Sequence, residues 1–284
     1  MKKHSKKIIY LVYIVVAFLT LSFYLLNKDG ITLTPFFKAI NNISKTVSWS
    51  AQNKEELKLE KLIAHAAGEI KSISSTNSLE ALDKNYANGF RFIELDFEWT
   101  SDEHLVLIHD WKKSMTRLFN ESPGNYTLRE YENLNMINGL TQMTLDDLAK
   151  WVRRHQDVYI VTDIKRYNSK GLRLISDRFP GIVGNFIPQI YYFQEYWLAR
   201  KMGYKHIILT LYRSEYSDEE ILSFVSKNYL AAVTMPIKRA NTRLPAKLKQ
   251  MGVSTYAHTV NTVSLQNQLY TNDVFGVYTD SLNP

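Results

Sequence analysis

Cysteine is absent from this chain of 284 residues. Its absence excludes disulfide staples, a thiol nucleophile and cysteine-built zinc or iron–sulfur centres. Glycine and proline are sparse, at 11 and 7 positions, which excludes collagen-like and low-complexity chains. Acidic residues are missing from the first 28 positions, which carry Lys2, Lys3, Lys6, Lys7 and Lys28. The whole chain has 35 basic and 28 acidic residues, a formal charge of +7; without that N-terminal stretch the balance is 30 against 28. A nucleic-acid binder needs a basic face on the folded domain itself, so no nucleic-acid partner is expected. What remains, 45% apolar and 22% charged residues, is the mix of a globular chain able to bury one large core.

Ile8 to Leu26 reads IIYLVYIVVAFLTLSFYLL, without a charge. At about 1.5 Å per residue the run spans roughly the 30 Å hydrocarbon core of a bilayer. Lysines precede it, so the positive-inside rule puts the N-terminus in the cytoplasm and everything after Lys28 outside. The expectation is a single-pass protein of the cell membrane, with residues 1–28 as cytoplasmic tail and transmembrane anchor. A cleaved signal peptide is the rival reading. The run is longer than a usual signal core, and no small-x-small site follows it directly. Residues 29–58, which end within the charged stretch KEELKLEK, read as a partly helical linker.

Residues 59–284 alternate short apolar runs with helical patterns. LIAHA (62–66), RFIELDFEW (91–99), HLVLIHD (104–110) and VYIVTDIK (158–165) read as strands. So do FIPQIYY (186–192), HIILTLY (206–212), LAAVTMPI (230–237), VSTYAHTVN (253–261) and VFGVYTD (274–280). Helical patterns fall over 77–89, 143–155, 170–179, 195–203, 217–229, 243–252 and 264–273. In the first of these Asn77 is placed to cap, Glu80 to complete a capping box and Gly89 to terminate. Strands alternating with helices of about ten residues imply parallel β/α units. Eight or nine strands fit a (β/α)8 TIM barrel of class α/β, irregular near the second and third strands. A doubly wound open sheet is the alternative, but no glycine-rich phosphate fingerprint follows a strand.

In such barrels the reacting groups sit at the C-terminal ends of strands. His65 ends the first strand. Period-two alternation puts Phe92, Glu94 and Asp96 on one face of the second and Ile93, Leu95 and Phe97 on the other. Leu105, Leu107 and His109 share a face of the third, with Asp110 following. Val161, Asp163 and Lys165 share a face of the fourth. Three carboxylates on neighbouring strands are costly to bury without a cation. Glu94, Asp96 and Asp163 offer hard oxygen ligands suited to a divalent cation, Mg²⁺ or Ca²⁺. Two histidines can supply a general base and a general acid, and Lys165 a donor for an anionic oxygen. Together they suit chemistry on a phosphodiester. Each residue alone also reads as ordinary structure; the joint placement carries the expectation.

The stretch IAHAAG…TNSLEALDKNYANGFRFIELDFEWTSDEHLVLIHDW resembles the glycerophosphodiester phosphodiesterase family, with its His-Arg-Gly, Glu-Asn-Thr, Glu-x-Asp, Thr-x-Asp-Gly and His-Asp motifs. VTDIK is similar to the family's Glu-x-Lys strand, AHTVN to its Trp-Thr-Val-Asn strand and GVYTDSL to its closing Thr-Asp-x-Pro strand. The resemblance covers about residues 61–284. It implies His65 and His109 as the catalytic pair, Glu94, Asp96 and Asp163 as metal ligands, and Lys165 as the family lysine. Asp163 stands where the family has the longer glutamate. Other departures are Ala66 for the family's phosphate-binding arginine, Thr76 for a glutamate, Glu103 for a glycine and His258 for a tryptophan. Arg213 is a candidate to replace the lost arginine, and His258 a candidate substrate contact. Asn77 is a candidate either for the helix cap or for support behind the carboxylates, and Asp110 for support beside His109. Residues 111–143, with Trp111, Phe119, Tyr126 and Tyr131, form a lid, a membrane-facing rim or a plain surface insertion. The implied function is a membrane-anchored, extracytoplasmic, metal-dependent phosphodiesterase acting on a glycerophosphodiester or a related polyol or lipid-headgroup diester. The alternatives are a phospholipase D- or lyase-type relative, and an inactive barrel kept as a binding module.

Overall fold

A computed structural model describes residues 57–284. The anchor expected at Ile8–Leu26, and all but the last two residues of the expected linker, lie outside the described residues. Among the described residues no helix is long and apolar enough to cross a membrane.

The described residues form nine strands: β1 Leu62–Ala64, β2 Phe92–Trp99, β3 Leu105–Val106, β4 Tyr159–Ile164, β5 Phe186–Ile190, β6 Ile208–Thr210, β7 Ala232–Pro236, β8 Ser254–His258 and β9 Gly276–Thr279. Eight of them run parallel in the order β1-β9-β8-β7-β6-β5-β4-β2, and a β1–β2 pairing at Ala64 and Ile93 closes the barrel. The helices between them pack outside. The expected (β/α)8 architecture is therefore present, with one correction. The run 104–110 is not a barrel strand. Only Leu105–Val106 pairs, antiparallel to the end of β2, because a tight turn from Thr100 to His104 folds the chain straight back. His109 thus lies on a loop.

The alternation read in β2 decides which side chains face the helices. Ile93, Leu95 and Phe97 are fully buried in the layer between strands and helices, with Leu148, Val152, Ile160 and Ile164. Each such side chain contributes about 1.5–3 kcal/mol by leaving water. The helix Leu145–Arg154 turns Leu145, Leu148, Ala149, Trp151 and Val152 onto this layer, and a capping box of Thr144 and Asp147 starts it. Gly276 is required by close approach: a Cβ there would meet the Lys61 carbonyl and the Tyr256 ring, each at 2.5 Å.

The helix expected over 77–89 forms as Leu79–Ala87, but its cap is Ser78, whose hydroxyl accepts from Ala81 N–H. Asn77 is turned inward, and Glu80 instead accepts from the Thr141 N–H and hydroxyl at 2.8 and 2.7 Å. The segment 106–140 builds a small core of its own, in which Trp111, Phe119 and Tyr131 are buried beside Ile108 and Met115. Those aromatics pack inward, so they present neither a lid nor a membrane-facing rim. Trp111 Nε1 donates to the Trp99 carbonyl at 2.7 Å, and the Tyr131 hydroxyl to the Leu107 carbonyl at 3.1 Å. These two bonds lock the segment against β2 and fix the loop that carries His109.

Candidate active site

The register between β2 and β4 sets Asp96 directly beside Asp163 and Glu94 beside Val161. Inward parity then gathers Glu94, Asp96 and Asp163, all buried, with ligand-capable oxygens within 4.8 Å of one another. Lys165, two residues beyond Asp163 on the same face, bridges Asp96 Oδ1 at 2.6 Å and Asp163 Oδ2 at 2.7 Å. Asn77 braces Asp96 from both sides: its Nδ2 donates to Asp96 Oδ2 and its Oδ1 accepts from Asp96 N–H, each at 2.9 Å. The Tyr191 hydroxyl donates to Asp163 Oδ1, and the Tyr212 hydroxyl lies 3.2 Å from Asp163 Oδ2.

Among the described residues Glu94 has no cationic partner of this kind. It accepts one bond, from Ala66 N–H at 2.8 Å. Ala66 and Ala67 reach this position through left-handed backbone at φ +47° and +69°, which costs roughly 1–2 kcal/mol per non-glycine residue. Burial, and then the Asp96 carboxylate, push Glu94 up to about 8. Asp96 behaves oppositely: burial opposes its ionisation, but Lys165, then His109 and His65, hold it at about 2. Burial also opposes the charge on Lys165, yet Asp96 and Asp163 keep it well above the lysine range. One lysine thus bridges two of the carboxylates, and the third, without a cation in contact, is left to hold a proton. A set of three hard oxygen donors with one carboxylate short of a cation fits a divalent metal.

His65 sits on the loop after β1, its Nδ1 2.8 Å from Asp280 Oδ1. Burial works against a charged imidazole there, but the Asp280 hydrogen bond and the nearby Glu94 and Asp96 outweigh it and raise His65 to about 9. With Nδ1 engaged, Nε2 is the nitrogen left for proton transfer. Asp280 is in turn fixed by Asn261, whose Nδ2 donates to its Oδ2 at 2.7 Å and whose Oδ1 accepts from its N–H at 2.8 Å. His109 is half exposed, with Nδ1 2.9 Å from Asp110 Oδ2. Asp110 Oδ1 accepts from Lys112 and Lys113 N–H at 2.8 and 2.6 Å, so the loop backbone aims this carboxylate at the ring.

Arg213 follows β6 at the exposed rim. Its guanidinium lies 4.5 Å over the Tyr191 ring and 5.1 Å over that of Tyr212, and Nη1 donates to the Lys165 carbonyl at 2.9 Å. His258 ends β8 on the inward parity, beside Tyr212 and Tyr278. All ten candidate residues thus belong to strand ends or loops of one barrel mouth, or brace groups there. Sequence reasoning missed Asp280, Tyr191 and Tyr212. Each was reachable: Asp280 sits in the GVYTDSL strand end, and counting by twos from Ile187 places Gln189 and Tyr191 inside.

Several solved structures share this fold. The glycerophosphodiester phosphodiesterase of Thermotoga maritima is 22% identical, over 78% of this chain and 95% of that one, with a TM-score of 0.58. An Oleispira antarctica phosphodiesterase, solved with the product sn-glycerol-3-phosphate, is 16% identical over 78% and 93%, at 0.63. A glycerophosphodiester phosphodiesterase from Parabacteroides distasonis is 17% identical over 78% and 92%, at 0.61. At these identities the likeness establishes the fold. Residues 66–176, the segment that carries Glu94, Asp96, His109, Asp163 and Lys165, match the Glycerophosphoryl diester phosphodiesterase family. The family so matched is one of phosphoric diester hydrolases, and that is the enzyme class this chain carries.

Proposed function

We propose that the chain hydrolyses a glycerophosphodiester, or a related polyol or lipid-headgroup phosphodiester, with His65 as general acid and His109 as general base. One observation carries this reading: three buried carboxylates converge within 4.8 Å in the mouth of a barrel whose 66–176 segment matches the family. A divalent cation, Mg²⁺ or Ca²⁺, held by Glu94, Asp96 and Asp163 supplies positive charge for the phosphoryl oxygens when bound. Lys165 orders two of these carboxylates and adds its own charge to the site. Arg213, held flat against two tyrosines, offers the remaining N–H groups of its fork to a phosphate oxygen. That replaces in part what Ala66, whose side chain is a methyl group, cannot give.

His65, charged through Asp280, donates its Nε2 proton to the leaving alkoxide as the P–O bond breaks. His109, its ring oriented by Asp110, takes the proton of the attacking hydroxyl. Attack by water gives an alcohol and a phosphomonoester. Attack by a neighbouring hydroxyl of the substrate gives an alcohol and a cyclic phosphate. The test is ³¹P NMR of glycerophosphodiester turnover by the full chain, with Mg²⁺, Ca²⁺ or EDTA. Metal-dependent product lost in His65→Ala and Glu94→Ala supports the reading. A folded protein that binds metal and turns over no diester points to the binding-module reading.

The location belongs to the same proposal. The uncharged run Ile8–Leu26 behind four lysines supports a single-pass anchor with the barrel outside the cytoplasm. Protease added to intact cells then cleaves the barrel domain; full protection rejects this topology.

A further inference from the structure

The β8 side of the mouth holds a polar atom with no counterpart. His258 stands between Tyr212 and Tyr278, with ring centroids 5.7 and 6.1 Å away. Its Nε2 is covered, and no group among the described residues hydrogen-bonds to it. The other buried titratable groups of the mouth are each committed. Asp96 and Asp163 hold Lys165, His65 holds Asp280, and Glu94 accepts from Ala66. Tyr191 and Tyr212 face Asp163, and the Tyr278 hydroxyl is 3.3 Å from Gln189 Oε1. A covered polar atom left unmatched is unfavourable, so a ligand group that meets it gains selectively.

The surroundings decide what that group is. Burial, and the charge on His65, hold His258 down at about 4, so the ring is neutral and offers one donor and one acceptor. A cationic ligand group is met by the carboxylates Glu94, Asp96 and Asp163 rather than by an uncharged ring. An anionic phosphate oxygen gains more from Lys165 or Arg213 than from an uncharged ring. An alkyl group leaves Nε2 unmatched. A hydroxyl both donates and accepts, and so fits either tautomer of the ring.

We propose that His258 is a specificity-determining residue that hydrogen-bonds a free hydroxyl on the alcohol part of the diester. The site then selects polyol or sugar phosphodiesters over their deoxy counterparts. This rests on the phosphodiesterase reading and assigns a substrate feature within it. It differs from phosphate binding in a simple way: removing the hydroxyl from the ligand and removing the imidazole from the protein must cost the same interaction, once.

Two phosphate monoesters that differ only in hydroxyls are the probes: sn-glycerol 3-phosphate and n-propyl phosphate. Calorimetry on the full chain with Mg²⁺ is expected to show the glycerol ester binding about tenfold tighter to wild type, the effect of one neutral hydrogen bond in a covered site. In His258→Phe the two ligands bind alike, and His258→Gln restores part of the preference. In wild type, the ¹⁵N resonance of His258 Nε2 shifts with glycerol phosphate and not with propyl phosphate, which needs no variant to fold. Equal binding by wild type, a preference retained in His258→Phe, or an unmoved Nε2 resonance overturns the assignment. Diester hydrolysis with no hydroxyl preference rejects this inference alone. Hydroxyl preference in a protein that hydrolyses no diester rejects the phosphodiesterase reading alone.

Discussion

His65 and Asp280 stand 215 residues apart in the chain, with His65 Nδ1 2.8 Å from Asp280 Oδ1. Barrel closure makes the pair. β1 runs beside β9 with Ala64 opposite Thr279, so the next residue of each strand leaves the barrel at the same point. Asp280 fixes the ring and favours its charged form, which is what a general acid needs.

Asp280→Asn therefore lowers kcat by about 10- to 100-fold, the usual cost of losing an orienting partner. It also brings His65 down from about 9, so the alkaline limb of the pH–rate profile moves to lower pH. A profile that keeps its limb while activity falls would mean that Asp280 serves the fold only.

Proton competition governs metal binding. In the metal-free site Glu94 holds a proton up to about pH 8, and a cation must displace it. Apparent affinity for Mg²⁺ or Ca²⁺ falls about tenfold per pH unit below that point. Titration calorimetry at pH 7 in buffers of different ionisation enthalpy reads the released proton directly. Binding with no proton release contradicts the assignment of Glu94, and Glu94→Gln removes the pH slope along with most of the affinity.

The metal-free protein loses stability toward alkaline pH. His65 is raised from 6.5 to about 9 and Glu94 from 4.5 to about 8. For both groups the folded state holds a proton that the unfolded chain has already released. Their contribution is complete below the unfolded values and is lost as pH rises through the folded ones. Between pH 6.5 and 8 both act, each worth at most about 1.4 kcal/mol per pH unit. Urea midpoints in EDTA fall between pH 6 and pH 8.5, and added metal reduces the fall. A midpoint that rises over this range refutes the prediction.

Arg213→Ala raises KM for a small phosphodiester about tenfold or more, the loss of one charge-assisted contact. Arg213→Lys does not restore it, because a point charge neither stacks on Tyr191 and Tyr212 nor keeps a free fork. Full activity in the lysine variant would show that charge alone matters at this rim.

Gly276→Ala tests the barrel rather than the chemistry. The added Cβ meets backbone at Lys61 and the buried Tyr256 ring, and overpacking of this kind costs about 1–3 kcal/mol. A thermal midpoint equal to wild type would mean that β9 shifts freely.

Much of the mouth was legible in the sequence because parity is local. FIELDF puts its two acids on one face and three of its four large apolar side chains on the other in any strand. VTDIK does the same for Asp163 and Lys165. The errors came where a nonlocal partner outcompeted a local rule. Asn77 follows the pattern of a helix cap, but a bidentate grip on buried Asp96 is worth more than capping a single N–H, and Ser78 took the cap. HLVLIHD has the pattern of a barrel strand, but Val106 and Ile108 were claimed by the small core around Trp111 and Tyr131, while Leu105 and Leu107 face the main core.

The chain order of residue types thus determined the barrel, its inward carboxylates and the uncharged N-terminal run, since period and polarity act over a few residues. Tertiary structure alone decided the pairings. Lys165 bridges Asp96 and Asp163 but does not reach Glu94, Asp280 favours the charged form of His65, and His258 Nε2 has no hydrogen-bond partner among the described residues. Those depend on strand register and barrel closure, which bring together groups that no local spacing relates. They set the protonation of each group by burial and by neighbours distant in sequence.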